Sequence, residues 1–332
     1  MSLLLLTLLT ANAATGNAHA VDWQTISMHQ VTQLKRIKSI QFEVVTSRKQ
    51  VNPNQPAITI PLYSTISQYA FEGGKFFADI EFDTTLPSTV SETKLVMHSV
   101  AFNLSDYQYL DKRQFVLTVR KTPTQTSYGI RPPILLPYGF LFRAVQEDLS
   151  SIQVENLWSN RIARTELIDK TTVSDQTCII IDAFWSDPVP SGTQRTRLYL
   201  ATALEYFPLR YQNISASDHV FVDYVIEEFK TFETPEGRVI VPIRSVKSSV
   251  GGPDQPVLIE EYAFRQDSVK VNDEIPDESF SIPTLSQRLL NKYKGINNTL
   301  KLEFPEVETF SAAWYDWADF YTRTKAAFPI RE

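Results

Sequence analysis

The histidines beyond residue 20 are the first residues to consider for catalysis or metal binding. His29, His98 and His219 are scattered through the sequence, and none belongs to an HExxH pattern, which would place two zinc ligands on one helix face. No serine occupies the GxSxG turn that presents a hydrolase nucleophile. We therefore expect no catalytic residue, no bound metal, no cofactor and a function that is not enzymatic.

Acidic residues occur in pairs at Glu227-Glu228 and Glu260-Glu261, and in a cluster across 273–278. Adjacent residues of a strand point to opposite faces, so neither pair can aim both carboxylates at one substrate without a bulge. The cluster lacks the ligand spacing of an EF-hand loop. We interpret these acids, and the short basic run Arg48-Lys49, as solvated residues of strands and turns.

Composition and charge exclude further functions. The chain has ten glycines in 332 residues, and none lies in the GxGxxG or GxxxxGK[ST] loops that bind nucleotide phosphates. The net charge is −6, and no dense cluster of lysine and arginine could neutralise phosphates, so no nucleic acid partner is expected. A chain that is 43% hydrophobic and 21% charged is typical of a globular protein with an apolar core.

The N-terminal residues indicate export. An apolar run from Leu3 to Leu9 leads to Ala18-His19-Ala20, which predicts a signal peptide, residues 1–20, cleaved after Ala20, and a periplasmic or secreted protein. The alternative is a buried N-terminal helix. Cys178 is the only cysteine, so a disulfide framework is excluded within one chain, and its apolar neighbours predict a small core residue.

Residue periodicity predicts a mainly β fold with flanking helices. An amphipathic helix is expected at 22–35, and a second around 155–168. Ile40, Phe42 and Val44 alternate with polar residues, as in a half-buried strand. Further strands are expected at 66–71, 76–82, 94–104, 107–111, 115–121, 176–184, 195–203, 208–213, 220–232, 239–246 and 258–264, with turns at 72–75 and 234–237. So many strands predict a curved antiparallel sheet that forms an incomplete barrel with a helical or loop lid.

One apolar segment does not fit this strand pattern. Residues 134–142 are almost continuously apolar and are bounded by prolines, which is typical of a flap over a cavity or of a loop packed on the core. Alternation at 220–226 predicts a sheet with one dry side. Together these segments give the candidate ligand-binding residues, which are Ile134, Leu135, Leu136, Tyr138, Phe140, Phe142, Val222 and Tyr224.

The C-terminal part, residues 284–332, is predicted to be a helical extension. Thr284 and Gln287 form a capping box, and a second helix at 306–325 places aromatic residues on one side. Trp314, Trp317 and Phe320 are candidate partner-binding residues on this helix. The alternatives are a helix docked on the sheet, a membrane-interface helix, or a contact surface for an envelope protein.

Several phrases resemble the outer-membrane lipoprotein-sorting (LolA-like) family of bacterial periplasmic proteins. They are 37–42, 107–111, 206–211, 241–244 and, most specifically, 271–283, which reads VNDEIPDESFSIP. The resemblance implies that residues 21–283 form an incomplete barrel whose apolar interior shelters acyl chains. It therefore implies a carrier of lipid or of an acylated protein, with a non-catalytic envelope interaction or scaffold protein as the alternative function.

Overall fold

The computed structural model describes residues 23–52, 54–73, 75–82, 98–102, 107–111, 116–120, 133–138, 162–186, 193–250, 255–282 and 301–303. Helix α1 spans Trp23–Lys35, and a 3-10 helix spans Pro133–Tyr138. The strands are β1 (Ser39–Asn52), β2 (Gln55–Glu72), β3 (Lys75–Phe82), β4 (His98–Phe102), β5 (Tyr107–Asp111), β6 (Val116–Arg120), β7 (Ile162–Val173), β8 (Gln176–Trp185), β9 (Arg195–Ala201), β10 (Phe207–Ile214), β11 (Val220–Thr234), β12 (Gly237–Ser249), β13 (Val257–Phe264), β14 (Lys270–Val271) and β15 (Lys301–Glu303). Short 3-10 helices lie at Thr202–Leu204, Gln266–Ser268 and Asp277–Phe280.

All these strands belong to one sheet. Its order is β15, β6, β5, β4, β3, β2, β1, β13, β12, β11, β10, β9, β8 and β7, and β14 also pairs with β1. Neighbouring strands are antiparallel except β15, which runs parallel to β6. Within the described ranges β7 and β15 are the two ends of the order and do not pair with each other. The predicted antiparallel sheet that forms an incomplete barrel is thus confirmed.

The sheet is formed by two runs of hairpins that meet at β1 and β13. Successive strands β1 to β6 pair with one another, as do β7 to β13, so each run consists of strands that are neighbours in sequence. In the β11–β12 turn Gly237 has φ +116, and a Cβ there would lie 2.9 Å from Nε of Arg36. Glycine is required at this position by both its backbone conformation and the close approach of Arg36.

The core lies on one side of this sheet, which we call the inner face and define by the buried residues Phe42, Leu198, Tyr211 and Tyr224. Alternation places Ile40, Phe42 and Val44 on it, all at most 1% exposed. Helix α1 contributes Ile26 and Leu34 to the same cluster. Burial on this face is the principal stabilising contribution of the fold.

Cys178 is fully buried in this core, as predicted. Burial raises the pKa of its thiol to about 11, because the charged thiolate would lose its hydration. The thiol is therefore inert at neutral pH and acts as a packing residue. Among the described residues, no helix is long and apolar enough to cross a membrane.

Residues 271–282 fasten the segment after β13 to the segment that leads into β1 and to β5. Asn272 has φ +58, a conformation that asparagine tolerates better than most residues. Its Oδ1 accepts from the backbone N–H of Lys38 at 2.8 Å and of Ser39 at 3.3 Å, and its Nδ2 donates to the carbonyl of Arg36 at 2.8 Å. Further along, the backbone N–H of Ile282 donates to Oε1 of Gln108 at 2.8 Å.

The observed secondary structure differs from the predicted one in two places. The helix predicted at 155–168 is wrong where it can be compared, because Ile162–Val173 is strand β7, paired with β8. Pairing with a long apolar strand outweighs the weak local helix pattern. Strand β15 lies within residues 284–332, which were predicted to be a helical extension, and the rest of that extension, including the helix predicted at 306–325, lies outside the described residues.

Candidate ligand-binding site

A row of side chains crosses the inner face from β8 to β2, and this row has an apolar half and a polar half. Paired residues of antiparallel neighbours point to the same face. Following the register gives the row Ile181, Leu198, Tyr211, Tyr224, Lys247, Glu260, Arg48 and Tyr63. The first four are buried and belong to the core, and the last four form a polar site.

The 3-10 helix Pro133–Tyr138, which we call the flap helix, packs against the apolar half. All six residues are buried, and Ile134 is 2% exposed. The ring of Tyr138 meets the ring of Phe207 edge to face, with centroids 5.8 Å apart, an arrangement that aromatic pairs favour. The flap helix therefore covers β10 on the inner face.

A chain of side-chain hydrogen bonds connects the flap helix to α1 and then to the sheet. The hydroxyl of Tyr138 donates to Oε1 of Gln33 at 3.3 Å. Nε2 of Gln33 in turn donates to the carbonyl of Leu204 at 2.7 Å. Burial raises the pKa of Tyr138, so this hydroxyl stays protonated and can donate at any physiological pH. A long, neutral hydrogen bond thus joins the flap helix to α1.

Two hydroxyls on the inner face are buried without good partners. Tyr224 stacks on Tyr211, with centroids 5.3 Å apart and planes at 25°, and its side chain is fully buried. Its hydroxyl and the nearby hydroxyl of Ser245 make no hydrogen bond of acceptable geometry within the described residues. Burial raises the pKa of Tyr224, and Ser245 acts against this rise as a hydrogen-bonding neighbour, so the two hydroxyls face each other on the inner face.

The inner charge triad consists of Arg48, Lys247 and Glu260. Oε2 of Glu260 accepts from Nζ of Lys247 at 2.8 Å, and Oε1 pairs with Nη2 of Arg48. The side chain of Glu260 is 6% exposed, while those of Arg48 and Lys247 are 34% and 27% exposed. Burial acts to raise the pKa of Glu260, but the charges of Lys247 and Arg48 outweigh burial and hold it below its ordinary value.

The triad predicts an acid-sensitive part of the stability. Because the pKa of Glu260 is lower in the folded protein than the ordinary value of 4.5, its contribution is fully present above that value and is lost as the pH falls through the folded pKa. We expect Glu260→Gln to lower the free energy of unfolding by about 1–3 kcal/mol at pH 7, because it leaves two cations unpaired. Below pH 4.5 the free energy of unfolding of this variant should depend less on pH than that of the original protein.

Urea unfolding at a series of pH values measures both effects. Glu261→Gln is the matched control, because the neighbouring Glu261 side chain is 43% exposed and pairs with Lys49. It should change stability by less than about 1 kcal/mol. If the two variants lost the same free energy of unfolding, the triad would stabilise the protein no more than the exposed ion pair of Glu261 and Lys49 does.

The structure brings most of the predicted ligand-binding residues together. Ile134, Leu135, Leu136, Tyr138 and Tyr224 are buried in one cluster, with Val222 packed against its edge. Phe140, Phe142 and the predicted partner-binding residues Trp314, Trp317 and Phe320 lie outside the described residues. Whether this cluster receives a ligand stays a prediction.

Sequence reasoning missed the triad. The interpretation of Glu260 as solvated is wrong, since Glu260 is 4% exposed as a whole residue, whereas the Arg48 side chain that pairs with it is 34% exposed. The alternation of side chains between the two faces of each strand could have revealed the triad. Arg48 follows Phe42 and Val44 at even spacing, and Glu260 precedes Tyr262 and Phe264 in the same way, which places both charges on the dry face.

The fold and this site together define a class of protein, an open antiparallel sheet whose apolar inner face is covered by an N-terminal helix and a short flap. No protein-family model matches the chain, and no curated protein matches it. Solved structures with a similar architecture exist, at low sequence identity.

A DUF1329 family protein from Desulfovibrio piger is 10% identical, with a TM-score of 0.43, over 78% of this chain and 96% of the other. A putative outer membrane lipoprotein-sorting protein domain from Vibrio parahaemolyticus is 12% identical, with a TM-score of 0.43, over 79% and 98%. A LolA superfamily protein from Nitrosomonas europaea is 13% identical, with a TM-score of 0.37, over 79% and 98%. The family that the sequence phrases resemble is thus among these structures, and the likeness concerns architecture alone.

Proposed function

We propose that this protein is a non-catalytic carrier or sensor in the bacterial periplasm that holds an apolar ligand, a lipid or the acyl chains of a lipoprotein, on the inner face beneath the flap helix. The observation that carries the proposal is the flap helix itself. It is short, lies on the apolar half of the inner face, and is fully buried there. The export signal predicted for residues 1–20 supports the location.

In the proposed cycle the flap helix lifts from the sheet and an acyl chain enters beneath it. The flap helix buries Ile134, Leu135 and Leu136 against the sheet, and an acyl chain could make the same apolar contacts. Each methylene removed from water is worth about 0.8 kcal/mol. Opening the flap helix breaks the hydrogen bond from Tyr138 to Gln33, which contributes about 1 kcal/mol. The apolar contacts of a bound acyl chain can replace most of the stabilisation that is lost on opening. Closure of the flap helix would release the ligand again.

Binding itself is the first test. We expect the mature protein to bind a fluorescent fatty acid saturably, and to carry lipid through gentle purification. Native mass spectrometry measures bound lipid directly. A bare polypeptide mass, together with no uptake of the fluorescent fatty acid, would contradict the proposal.

A control variant must distinguish binding on the inner face from binding to exposed apolar patches. Leu167 and Ile168 on the edge strand β7 are 36% and 46% exposed and could bind a probe unspecifically. The double variant Leu167→Ser/Ile168→Ser should keep full uptake. Loss of uptake in this variant would assign the binding to the surface of β7 rather than to the inner face.

A further inference from the structure

The inner charge triad carries an excess positive charge in an otherwise neutral surrounding. Arg48 and Lys247 are two cations, and Glu260 is one anion. The adjacent cross-strand rows on the inner face contain no charged residue among their described members, which are Val222, Ser249, Leu258 and Gln50 on one side, and Ile226, Ser245, Tyr262 and Thr46 on the other. A partly buried site with an excess charge is costly unless an anion joins it.

The geometry of Arg48 leaves donor capacity for such an anion. Nη2 is used by Glu260, and the side chain of Tyr63, whose ring lies 5.1 Å from the guanidinium carbon, also accepts a hydrogen bond from Arg48. Nε is buried and has no hydrogen-bond partner within the described residues. A guanidinium has five N–H donors arranged to hold carboxylate or phosphate oxygens. The unused donors therefore favour an oxyanion over a neutral group.

The position of the triad connects this charge to the apolar half of the site. Lys247 pairs across the sheet with Tyr224, which begins the buried row that continues to Tyr211 and Leu198. An elongated molecule lying across these strands would place one end on the triad and the rest on apolar side chains. The row is thus polar at one end and apolar at the other, as an amphiphile requires.

We propose that Arg48 and Lys247 bind the anionic head group, a carboxylate or a phosphate, of an amphiphile whose chain lies along Tyr224, Tyr211 and Leu198. Glu260 holds the two cations in place and limits their attraction, so that the ligand can leave. This inference rests on the proposed function, since it names the chemical class of the ligand for the same inner face. No covalent step is involved.

The test compares ligands that share a chain and differ in the head group. Dissociation constants of the full mature protein are measured for hexadecanoate, hexadecyl phosphate and hexadecanol, by displacement of a fluorescent fatty acid. We expect at least one of the anions to bind about tenfold more tightly than the alcohol, the size of one charge-assisted hydrogen bond. The tighter of the two anions identifies the head group.

The variants test which residues make this difference. Arg48→Met and Lys247→Met should each reduce the preference for the anion over the alcohol, whereas Glu260→Gln should increase it. Lys49→Met is the matched control, because Lys49 lies next to Arg48 on the opposite face and pairs with Glu261. It should leave the preference unchanged.

The outcomes separate the two proposals. If the unmodified protein binds the alcohol and both anions equally, the head-group inference is overturned while apolar binding stands. The same conclusion follows if Lys49→Met reduces the preference as much as Arg48→Met. If neither the anions nor the alcohol bind, the proposed function fails, and the inference fails with it. The ligand comparison needs no variant, so it decides the question even if a substituted protein does not fold.

Discussion

Replacing Tyr138 with alanine is expected to open the flap helix and to accelerate uptake of a fatty acid. The substitution removes the edge-to-face contact with Phe207 and the hydrogen bond to Gln33. Truncation of a buried aromatic residue costs about 3–5 kcal/mol. In the proposed cycle the flap helix lifts from the inner face while the sheet stays paired, so this loss favours the open state. About 3 kcal/mol corresponds to a rate increase on the order of a hundredfold.

Stopped-flow fluorescence measures the uptake rate, and hydrogen exchange measures the opening of residues 133–138. Tyr138→Phe removes the hydroxyl alone and should accelerate uptake only severalfold. Tyr199→Ala is the size-matched control, since Tyr199 is 9% exposed and donates to Gln212 at 3.2 Å, away from the flap helix. If Tyr138→Ala lowers the melting temperature and leaves the uptake rate unchanged, the flap helix is a fixed part of the core.

The second large effect is expected at Asn272, and it concerns stability rather than binding. Alanine there removes the hydrogen bonds to the backbone of Lys38, Ser39 and Arg36 and keeps a positive φ that alanine disfavours. These three hydrogen bonds are exposed or partly buried, so each contributes about 0.5–1.5 kcal/mol, and an unfavourable left-handed conformation adds about 1 kcal/mol. We expect a loss of about 3 kcal/mol in the free energy of unfolding, measured in urea.

Two further substitutions separate the causes. Asn272→Gly loses the same side-chain hydrogen bonds but accepts the φ of +58, so it should be less destabilising than alanine. Asn54→Ala, in an exposed turn, is the control and should change stability by less than about 0.5 kcal/mol. Equal stability of Asn272→Ala and the original protein would mean that the hydrogen bonds between 36–39 and Asn272 contribute nothing to the stability of the fold.

Much of the sheet could be predicted because alternation of apolar and polar residues is a local signal. Strand β5 was predicted with its observed bounds, 107–111, and the turn at 234–237 matches the pairing of Thr234 with Gly237. The helix at 22–35 is confirmed as Trp23–Lys35. These elements are specified by their own residues, so no knowledge of distant contacts was needed.

Other features depend on contacts that the sequence does not display. Residues 162–168 form a strand because β8 pairs with them, and the flap helix is buried because Phe207 and Gln33 meet Tyr138. Residues 271–283 resemble a family pattern in sequence. The hydrogen bonds of Asn272 to 36–39, which give this segment its structural role, join residues more than 230 positions apart in sequence. The triad was not predicted because each charged residue was interpreted together with its neighbour in sequence, and not with the other residues on the same face of its strand.

The central claim, that an acyl chain lies on the inner face beneath the flap helix, is tested most directly by photo-crosslinking. A fatty acid carrying a diazirine on its chain is bound, irradiated, and located by mass spectrometry of the peptides, with excess unlabelled fatty acid as competitor. We predict that competed labels fall on residues 133–138 and on Tyr224 and Ile226 of β11. Competed labels confined to the exposed Leu167 and Ile168, or to the face that carries Lys49 and Arg210, would contradict it.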